Sequence, residues 1–450
     1  MGFWNRLQVE QDEQGWRSLG NMYVCGDCFE DEDVSEFIAD NATHTHCDYC
    51  GQASLDPIAT HMDHVLDLVV RSIKTEWDDP AEELPYESRE GGYQGTTYTT
   101  AELLFDLEFP TENDQLLNDV LDSIISDLWC ERNYFAGSDS DQLLYSWQDF
   151  CDIAKHYTRY RFFPENLDDF AQPELQYTTI LDEIGRIAFE LGLVVETDED
   201  WEIFRGRVHD PAIRLTTARE LGTPPAKLAI FANRMSPSGI PMFYGSLDRA
   251  TVIAEIFDET KDPCSAVTVA RFTPVRALRL FDLTSLPTVP SIFSENRRHL
   301  RAGVMFIRGF LDDFAKPILK DGREHIEYVP SQIVTEFFRH RYVDEKGHSP
   351  DGIVFPSSRM ADGISAVLFA TNSQCLDRIG FYDYPTEQLL TIDSGSVLCA
   401  RPGDPNSIRC RIKELWRRIF SVVSALFGSR DDNDEYRDEE PDIVDYLITR

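Results

Sequence analysis

Residues 233–255 read NRMSPSGIPMFYGSLDRATVIAE and join a turn, a short strand and a helix in one stretch. The Ser-Pro-Ser-Gly run predicts the turn, and the apolar run that ends at Tyr244 predicts the strand. Asp248 predicts the start of the helix, because its side chain can accept hydrogen bonds from the free N–H groups of the first turn. Glu255 lies off the apolar face of this helix, so periodicity alone predicts a solvated side chain.

Short apolar runs separated by turns surround this unit, from residue 198 to residue 380. They predict strands at residues 203–204, 229–231, 242–244, 266–272, 277–283, 353–355 and 367–370. Helical periodicity appears at residues 249–257, 296–314 and 332–339. This mixture predicts an α+β domain at residues 198–380.

Helical patterns dominate the preceding part of the chain. Apolar residues recur at helical spacing in residues 116–128, 144–157 and 180–191, which predicts an all-α bundle within residues 57–197. The last segment, residues 381–450, combines an amphipathic helix at 412–427 with an acidic tail at 431–440. We expect that helix to dock on its own protein, and a membrane surface is the alternative.

Two Cys-x-x-Cys pairs stand near the start, CGDC at residues 25–28 and CDYC at residues 47–50. Four thiolates suit tetrahedral Zn²⁺, and a site with four protein ligands is closed to substrate. Cys25, Cys28, Cys47 and Cys50 therefore predict a structural zinc knuckle within residues 1–56. Either histidine of the neighbouring THTH stretch, at positions 44 and 46, is an alternative fourth ligand.

Composition limits the function. The chain has 42 Lys and Arg against 80 Asp and Glu, a net charge of −38, which argues against broad binding to nucleic acid. Neither a long apolar run nor the apolar core of a secretory signal is visible, so we expect a cytoplasmic protein away from membranes. The six cysteines outside the two pairs are scattered, which suggests free thiols rather than a disulfide framework.

Four sequence stretches are each unspecific alone, but their order along the chain is specific. They are IFRGRV (203–208), NRMSPSGIPMFYGSLDRATVIAEI (233–256), YVPSQIVTEFFR (328–339) and GIVFPSSRMADGISAVLF (352–369). Together they resemble the successive motifs of the RES-domain family, named for its Arg, Glu and Ser. The zinc knuckle and helices before them resemble the HEPN-type domain found ahead of some RES domains.

The resemblance implies a fold similar to the ADP-ribosyltransferases and an enzyme that consumes NAD⁺. Members of the family split the nicotinamide–ribose bond with water or inorganic phosphate as the acceptor, and several are toxins of toxin–antitoxin pairs. The positions that match the family's motif residues are Arg205, Glu255 and Ser357 as catalytic residues, and Arg234, Tyr244 and Ser358 as NAD⁺-binding residues. An insertion near residues 285–350 would explain the long Glu–Ser separation.

These matches imply a role for each residue. Arg205 and Arg234 would hold the pyrophosphate or an acceptor phosphate, and Tyr244 would stack on the nicotinamide or its ribose. Ser357 would orient the ribose or amide, and Glu255 would stabilise the developing oxocarbenium ion. The leaving nicotinamide is neutral and needs no general acid, so one carboxylate suffices.

Two other functions stay open. The same bond could be broken with a protein side chain as acceptor, which would make the chain a protein ADP-ribosyltransferase. The chain could also be a non-catalytic or RNase-like HEPN interaction protein. However, residues 100–195 lack the Arg-x(4–6)-His motif of HEPN ribonucleases. We therefore expect the helical domain to sense a trigger, to form a homo-oligomer or to bind a partner such as an inhibitory antitoxin.

Overall fold

The computed structural model describes residues 11–400, with gaps at residues 12, 108, 110, 112, 160–178, 259, 262–263, 317–321 and 379–387. The predicted C-terminal amphipathic helix and the acidic tail lie outside the described residues. Within the described ranges, no helix combines the length and the apolar character needed to cross a membrane.

The first unit of the fold surrounds the two cysteine pairs. Its elements are strand β1 (Tyr23–Cys25), helix α1 (Glu32–Asp40), strand β2 (Ala59–His61) and helix α2 (Met62–Glu76). Helix α1 begins after Asp31, whose carboxylate accepts a hydrogen bond from the N–H of Val34. Strands β1 and β2 pair antiparallel, and the apolar faces of both helices are buried in one core with Cys25, Cys28 and Cys47.

Short elements follow α2. They are β3 (Trp77–Asp78), α3 (Pro80–Glu83), β4 (Tyr86–Glu87), β5 (Gly92–Tyr93), β6 (Tyr98–Thr99), α4 (Thr100–Asp106), α5 (Asp114–Ser123) and β7 (Leu128–Glu131). Strands β3, β7 and β6 form a small sheet in that order. The region is thus not all-α as predicted. The predicted helix at 116–128 ends at Ser123, because Ile124 adopts extended backbone angles and bridges Trp16.

The remaining elements alternate helices and strands. They are α6 (Asp139–His156), α7 (Thr179–Glu190), β8 (Val194–Glu196), β9 (Ile203–His209), α8 (Ala218–Leu221), β10 (Phe243–Ser246), α9 (Arg249–Ile256), β11 (Ala266–Pro274), β12 (Arg279–Asp282), α10 (Arg301–Phe314), α11 (Glu324–Glu327), α12 (Val329–His340), β13 (Gly352–Pro356), β14 (Ile364–Leu368), β15 (Cys375–Leu376) and β16 (Leu390–Ala400).

A nine-stranded sheet forms the centre of this second half. Its order is β15–β16–β11–β9–β10–β14–β13–β12–β8, and it is mixed, since β12–β13 and β15–β16 are parallel pairs in an otherwise antiparallel sheet. The predicted α+β character is confirmed. The predicted strand at 229–231 is wrong, because Ile230 and Phe231 are exposed in an irregular segment. Strand β16, which pairs with β11, was not predicted.

Residues 285–350 join the two halves of the molecule. Helices α10 and α12 share a core with α6 and α7, where the indole Nε1 of Trp147 donates to Asp313 Oδ2 at 2.9 Å. Phe293 enters the core of the cysteine unit, and its ring lies 5.1 Å from that of Phe109. Arg297 forms an ion pair with Asp33 at 2.9 Å. The segment that lengthens the Glu–Ser separation therefore attaches the N-terminal half to the sheet.

Candidate functional site

A cavity opens where strands β9 and β10 diverge. In the described chain these strands share one paired position, Ser246 with Phe204, whereas β9 pairs along its length with β11, and β10 pairs along its length with β14. The cavity has a volume of about 980 Å³ and is lined by both strands, by α9 and by residues 224–242. A cleft of this size accommodates a drug-sized or larger ligand.

Arg205 lies on β9 at the base of the cavity and is 7% exposed. Its Nη1 donates to the carbonyl of Tyr244 at 2.5 Å, and its guanidinium carbon lies 4.9 Å from the ring centroid of Phe243. Its buried Nε has no hydrogen-bond partner among the described residues. Burial and the neighbouring Arg207 lower the pKa of Arg205. Since guanidinium remains charged at neutral pH, a buried cation with an unsatisfied N–H group lines the cavity.

Helix α9 places a carboxylate on the cavity wall. The helix begins at Asp248 as predicted, where the carboxylate accepts a hydrogen bond from the N–H of Thr251 at 2.8 Å. Gly206 allows the helix to lie close to β9, because a Cβ at that position would stand 2.6 Å from Cδ1 of Ile256 and 2.7 Å from Cγ1 of Val252. This close approach brings Glu255, near the end of α9, to the same cavity as β9.

Glu255 is held by Ser357. The hydroxyl of Ser357 donates to Oε1 of Glu255 at 2.5 Å, and Oγ of Ser357 in turn accepts from the backbone N–H groups of Arg359 and Met360, each at 3.2 Å. The two N–H donors leave the hydroxyl proton for the carboxylate. Glu255 is half-buried, so the solvated side chain predicted from periodicity is wrong. Ser358, not Ser357, lines the cavity itself.

Tyr244 and Arg234 line the same cavity. The phenol of Tyr244 hydrogen-bonds to Ser236 Oγ at 2.9 Å, and burial raises its pKa, so it stays neutral. Arg234 donates from Nη1 to the carbonyl of Phe314 at 2.9 Å and from Nη2 to that of Lys316 at 2.7 Å. Burial lowers the pKa of Arg234. All six residues assigned by motif therefore meet at one cavity, five on its wall and Ser357 directly behind it.

Four further residues on the cavity wall were not predicted: Arg207, Arg219, Tyr328 and Arg359. Strand alternation puts Arg207 on the same face as Arg205, so the IFRGRV stretch contained this signal. Arg359 directly follows the serine pair, and Tyr328 opens the quoted YVPSQ stretch. Arg219 belongs to none of the quoted stretches.

The cavity has the opposite charge to the chain. Five of its lining residues are arginines and two, Glu220 and Glu255, are acidic, in a protein with a net charge of −38. Arg207 donates to the backbone carbonyls of Glu220 and Gly222, at 3.0 and 2.7 Å, rather than to a carboxylate. Guanidinium groups that are not neutralised by acidic partners favour phosphate or carboxylate ligands.

The four predicted metal ligands also come together. The sulfur atoms of Cys25, Cys28, Cys47 and Cys50 lie within 4.8 Å of one another. Sγ of Cys25 lies 3.8 Å from that of Cys28 and 3.5 Å from that of Cys50, and Sγ of Cys28 lies 3.7 Å from that of Cys47. Tetrahedral Zn²⁺ with bonds of about 2.3 Å places its sulfur ligands about 3.8 Å apart. The geometry therefore fits a four-cysteine zinc site.

The surroundings of this cluster agree with a structural role. Three of its cysteines are buried in the N-terminal core. The hydrogen bond from the Cys28 thiol lowers the pKa of Cys47 to about 4, whereas burial raises the pKa of Cys25 to about 12. A bound cation favours the thiolate form of every ligand. Because four cysteines come together, the site needs no histidine ligand. His44 instead stacks on Tyr23, with ring centroids 3.4 Å apart.

One scattered cysteine differs from the prediction. Cys264 is disulfide-bonded, so the interpretation of all six cysteines outside the pairs as free thiols is wrong. Cys130, Cys151, Cys375 and Cys399 are free.

Comparison with known proteins agrees with the resemblance to the RES-domain family. Residues 40–168 match the family model of HEPN/RES N-terminal domain 1, and residues 204–387 match that of the RES domain. No curated protein and no solved structure matches the chain. The RES match contains all six residues that meet at the cavity. The protein therefore combines a HEPN/RES N-terminal domain with a RES domain.

Proposed function

We propose that the protein cleaves the nicotinamide–ribose bond of NAD⁺, with water or inorganic phosphate as the acceptor. The observation that carries this proposal is the carboxylate of Glu255, held by Ser357 on the wall of an arginine-lined cavity. The RES match supports an NAD⁺-utilising enzyme. A fold related to the ADP-ribosyltransferases is part of the proposal, and its support is the cleft between the diverging strands β9 and β10.

The arginines account for binding. Arg205, Arg207 and Arg359 all line the cavity, and the buried Nε of Arg205 has no hydrogen-bond partner among the described residues. These groups suit the pyrophosphate of a dinucleotide, because guanidinium forms charge-assisted hydrogen bonds with phosphate oxygens. Arg234 already donates to two carbonyls, so we assign it mainly to the shape of the cavity, with an acceptor phosphate as its further ligand.

The chemical step needs few groups. The bond between C1′ of the ribose and the pyridine nitrogen breaks, and its electron pair leaves with neutral nicotinamide. The ribose carbon becomes an oxocarbenium-like centre, which the negative charge of Glu255 stabilises. An oxygen of water or phosphate then bonds to C1′, and the acceptor's proton passes to solvent or to Glu255.

Ser357 has a different role from the one implied by the resemblance. Because it stands behind Glu255 and donates to it, we assign it to positioning the carboxylate rather than to contact with the ribose. Ser358 and Tyr244 face the cavity, and we assign them to the substrate. The bond from Tyr244 to Ser236 restricts the phenol ring and leaves its face for the nicotinamide or ribose.

The four-cysteine cluster would hold Zn²⁺ as a structural ion, with no part in the reaction. An inhibitory antitoxin remains part of the proposal, since an NAD⁺-consuming enzyme harms its own cell. The domain bounds 1–56, 57–197, 198–380 and 381–450 remain proposals, although the sheet includes strands at 194–196 and 390–400.

The proposal is tested by incubating the purified protein with NAD⁺, with and without inorganic phosphate, and measuring nicotinamide and the ribose product. We expect free ADP-ribose without phosphate and, if phosphate is the acceptor, the phosphorylated ADP-ribose with it. Release that occurs only with cell extract, together with ADP-ribose on proteins by mass spectrometry, would favour a protein ADP-ribosyltransferase. RNA cleavage without nicotinamide release would favour the RNase-like alternative.

A further inference from the structure

A second cavity, of about 330 Å³, lies in the N-terminal half. Its walls carry four aromatic side chains, from Tyr98, Tyr134, Phe135 and Tyr145. Phe135 is 75% exposed and Tyr145 is 57% exposed. Large aromatic side chains that remain exposed around a concavity are typical of a surface that binds a partner.

The loop that carries two of these rings is held in shape. Asn133 and Gly137 both have positive φ, 56° and 78°, and the carbonyl of Asn133 accepts from the N–H groups of Ala136 and Gly137 at 2.8 and 3.0 Å. A left-handed asparagine is tolerated where a tight turn requires it. The turn therefore presents Tyr134 and Phe135 with little freedom of the backbone.

Two of the rings, those of Tyr134 and Tyr145, also border glycines of this region. The hydroxyl of Tyr134 accepts from the N–H of Thr96 at 2.9 Å, and its ring packs against Gly95, where a Cβ would stand 3.0 Å from Cζ. The ring of Tyr145 lies against Gly137, with Cε2 3.7 Å from the position of a Cβ there. Rings held in place before binding lose little conformational entropy when a ligand arrives.

The charged residues that line this cavity are all acidic. Its lining includes Glu131 and Asp141 and, among the described residues, no Lys, Arg or His. Carboxylates at positions 78, 79 and 83 lie close enough to raise, together with Glu131, the pKa of the buried Cys130 thiol, after the larger effect of burial. Arg132, which is adjacent to Glu131 in the sequence, pairs with Asp78 at 3.7 Å and donates to the carbonyl of Lys74 at 3.1 Å.

We propose that this cavity binds a Lys or Arg side chain from a basic segment of a partner protein. Aromatic faces attract cations through their quadrupole, and carboxylates at the rim neutralise the charge. The open, exposed rim suits a side chain presented by a polypeptide, and the acidity of the whole chain favours a basic partner. The site shares none of its lining residues with the arginine-lined cavity, so this inference does not depend on the proposed activity.

The test is fluorescence polarisation with a labelled octapeptide of alternating Lys and Gly, at physiological salt, against the full chain. We expect binding that the double variant Phe135→Ala/Tyr145→Ala weakens at least ~5-fold, since two cation–π contacts are lost. The net charge stays the same, so non-specific attraction to an acidic protein would be unaffected. Phe105→Ala removes a ring that is more exposed, at 84%, and lies outside the cavity, and this variant should bind as the wild type.

Wild-type binding that survives unchanged in the double variant would overturn the inference, as would no measurable binding by the wild type. Thermal unfolding separates these results from misfolding, because both substituted rings are exposed and the midpoint should not move. A peptide of alternating Glu and Gly should not bind.

Discussion

The hydroxyl of Ser357 donates to Oε1 of Glu255, a residue 102 positions earlier in the sequence. Each residue comes from a different element, Glu255 from helix α9 and Ser357 from the turn after β13. Two backbone N–H groups hold the serine oxygen from the other side. The Ser of the motif thus sets the position of its Glu.

Replacing Ser357 with Ala should lower kcat for nicotinamide release about 10-fold with little change in KM. A hydrogen bond to a charged group contributes about 1.5–3 kcal/mol, and without it the carboxylate can rotate away from the sugar. Steady-state kinetics would measure this. Ser358→Ala, which changes the cavity wall, should raise KM instead, and Ser373→Ala, in an exposed turn, should change neither. A raised KM for Ser357→Ala together with a lowered kcat for Ser358→Ala would contradict the assigned roles.

Replacing Arg359 with Gln should raise KM for NAD⁺ about 10-fold with a smaller effect on kcat. Among the described residues, its guanidinium makes one long hydrogen bond, 3.5 Å, to the carbonyl of Ala254, and we infer that it remains available to phosphate. The matched control is Arg308→Gln, which removes the same charge from a side chain that donates to the carbonyl of Pro287. Equal KM values for the two variants would show that Arg359 does not contact the substrate.

Replacing Gly206 with Ala should reduce both stability and activity. The new methyl group would overlap Ile256 and Val252 of α9, and overpacking of this kind costs about 1–3 kcal/mol. These two side chains must repack or α9 must move away from β9, and a shift of α9 would displace Glu255. Gly303→Ala is the control, because its Cβ would meet Ile187 at an ordinary 3.5 Å. Thermal unfolding and nicotinamide release would both be measured, and a Gly206→Ala protein with wild-type values would contradict this packing argument.

The four-cysteine cluster should bind one Zn²⁺ per chain. Cys28→Ser should reduce the zinc content, measured by elemental analysis, whereas Cys130→Ser, at a buried free thiol outside the cluster, should not. Loss of zinc should destabilise the N-terminal half, because three of the ligands belong to its core. Wild-type zinc content in the Cys28→Ser protein would contradict the site.

Local patterns predicted most elements of the sheet domain, and the ordered motifs singled out six residues that meet at the cavity but not Arg207, Arg219, Tyr328 or Arg359. Asp248 could be recognised as a cap because capping depends on neighbouring residues. The bond between Ser357 and Glu255 could not be predicted, since no local pattern reports a contact across so long a separation.

Other features depend on what an element packs against. The apolar periodicity of α6 and α7 predicted that both helices are buried. It could not show that they pack against α10 and α12 rather than against the cysteine unit. Strand β16 was missed because Ser394, Gly395 and Ser396 interrupt its apolar alternation. Ile230 and Phe231 looked like a strand by composition, yet the structure leaves them exposed.

The most direct test of the central claim is nicotinamide release by Glu255→Gln, compared with the wild type and with Glu345→Gln, an exposed control. Losing a carboxylate that stabilises the oxocarbenium ion by a few kcal/mol should lower kcat at least ~10²-fold, with the unfolding midpoint unchanged. Glu345→Gln should retain full activity. Wild-type release by Glu255→Gln, or no release by the wild type with or without phosphate, would contradict the account.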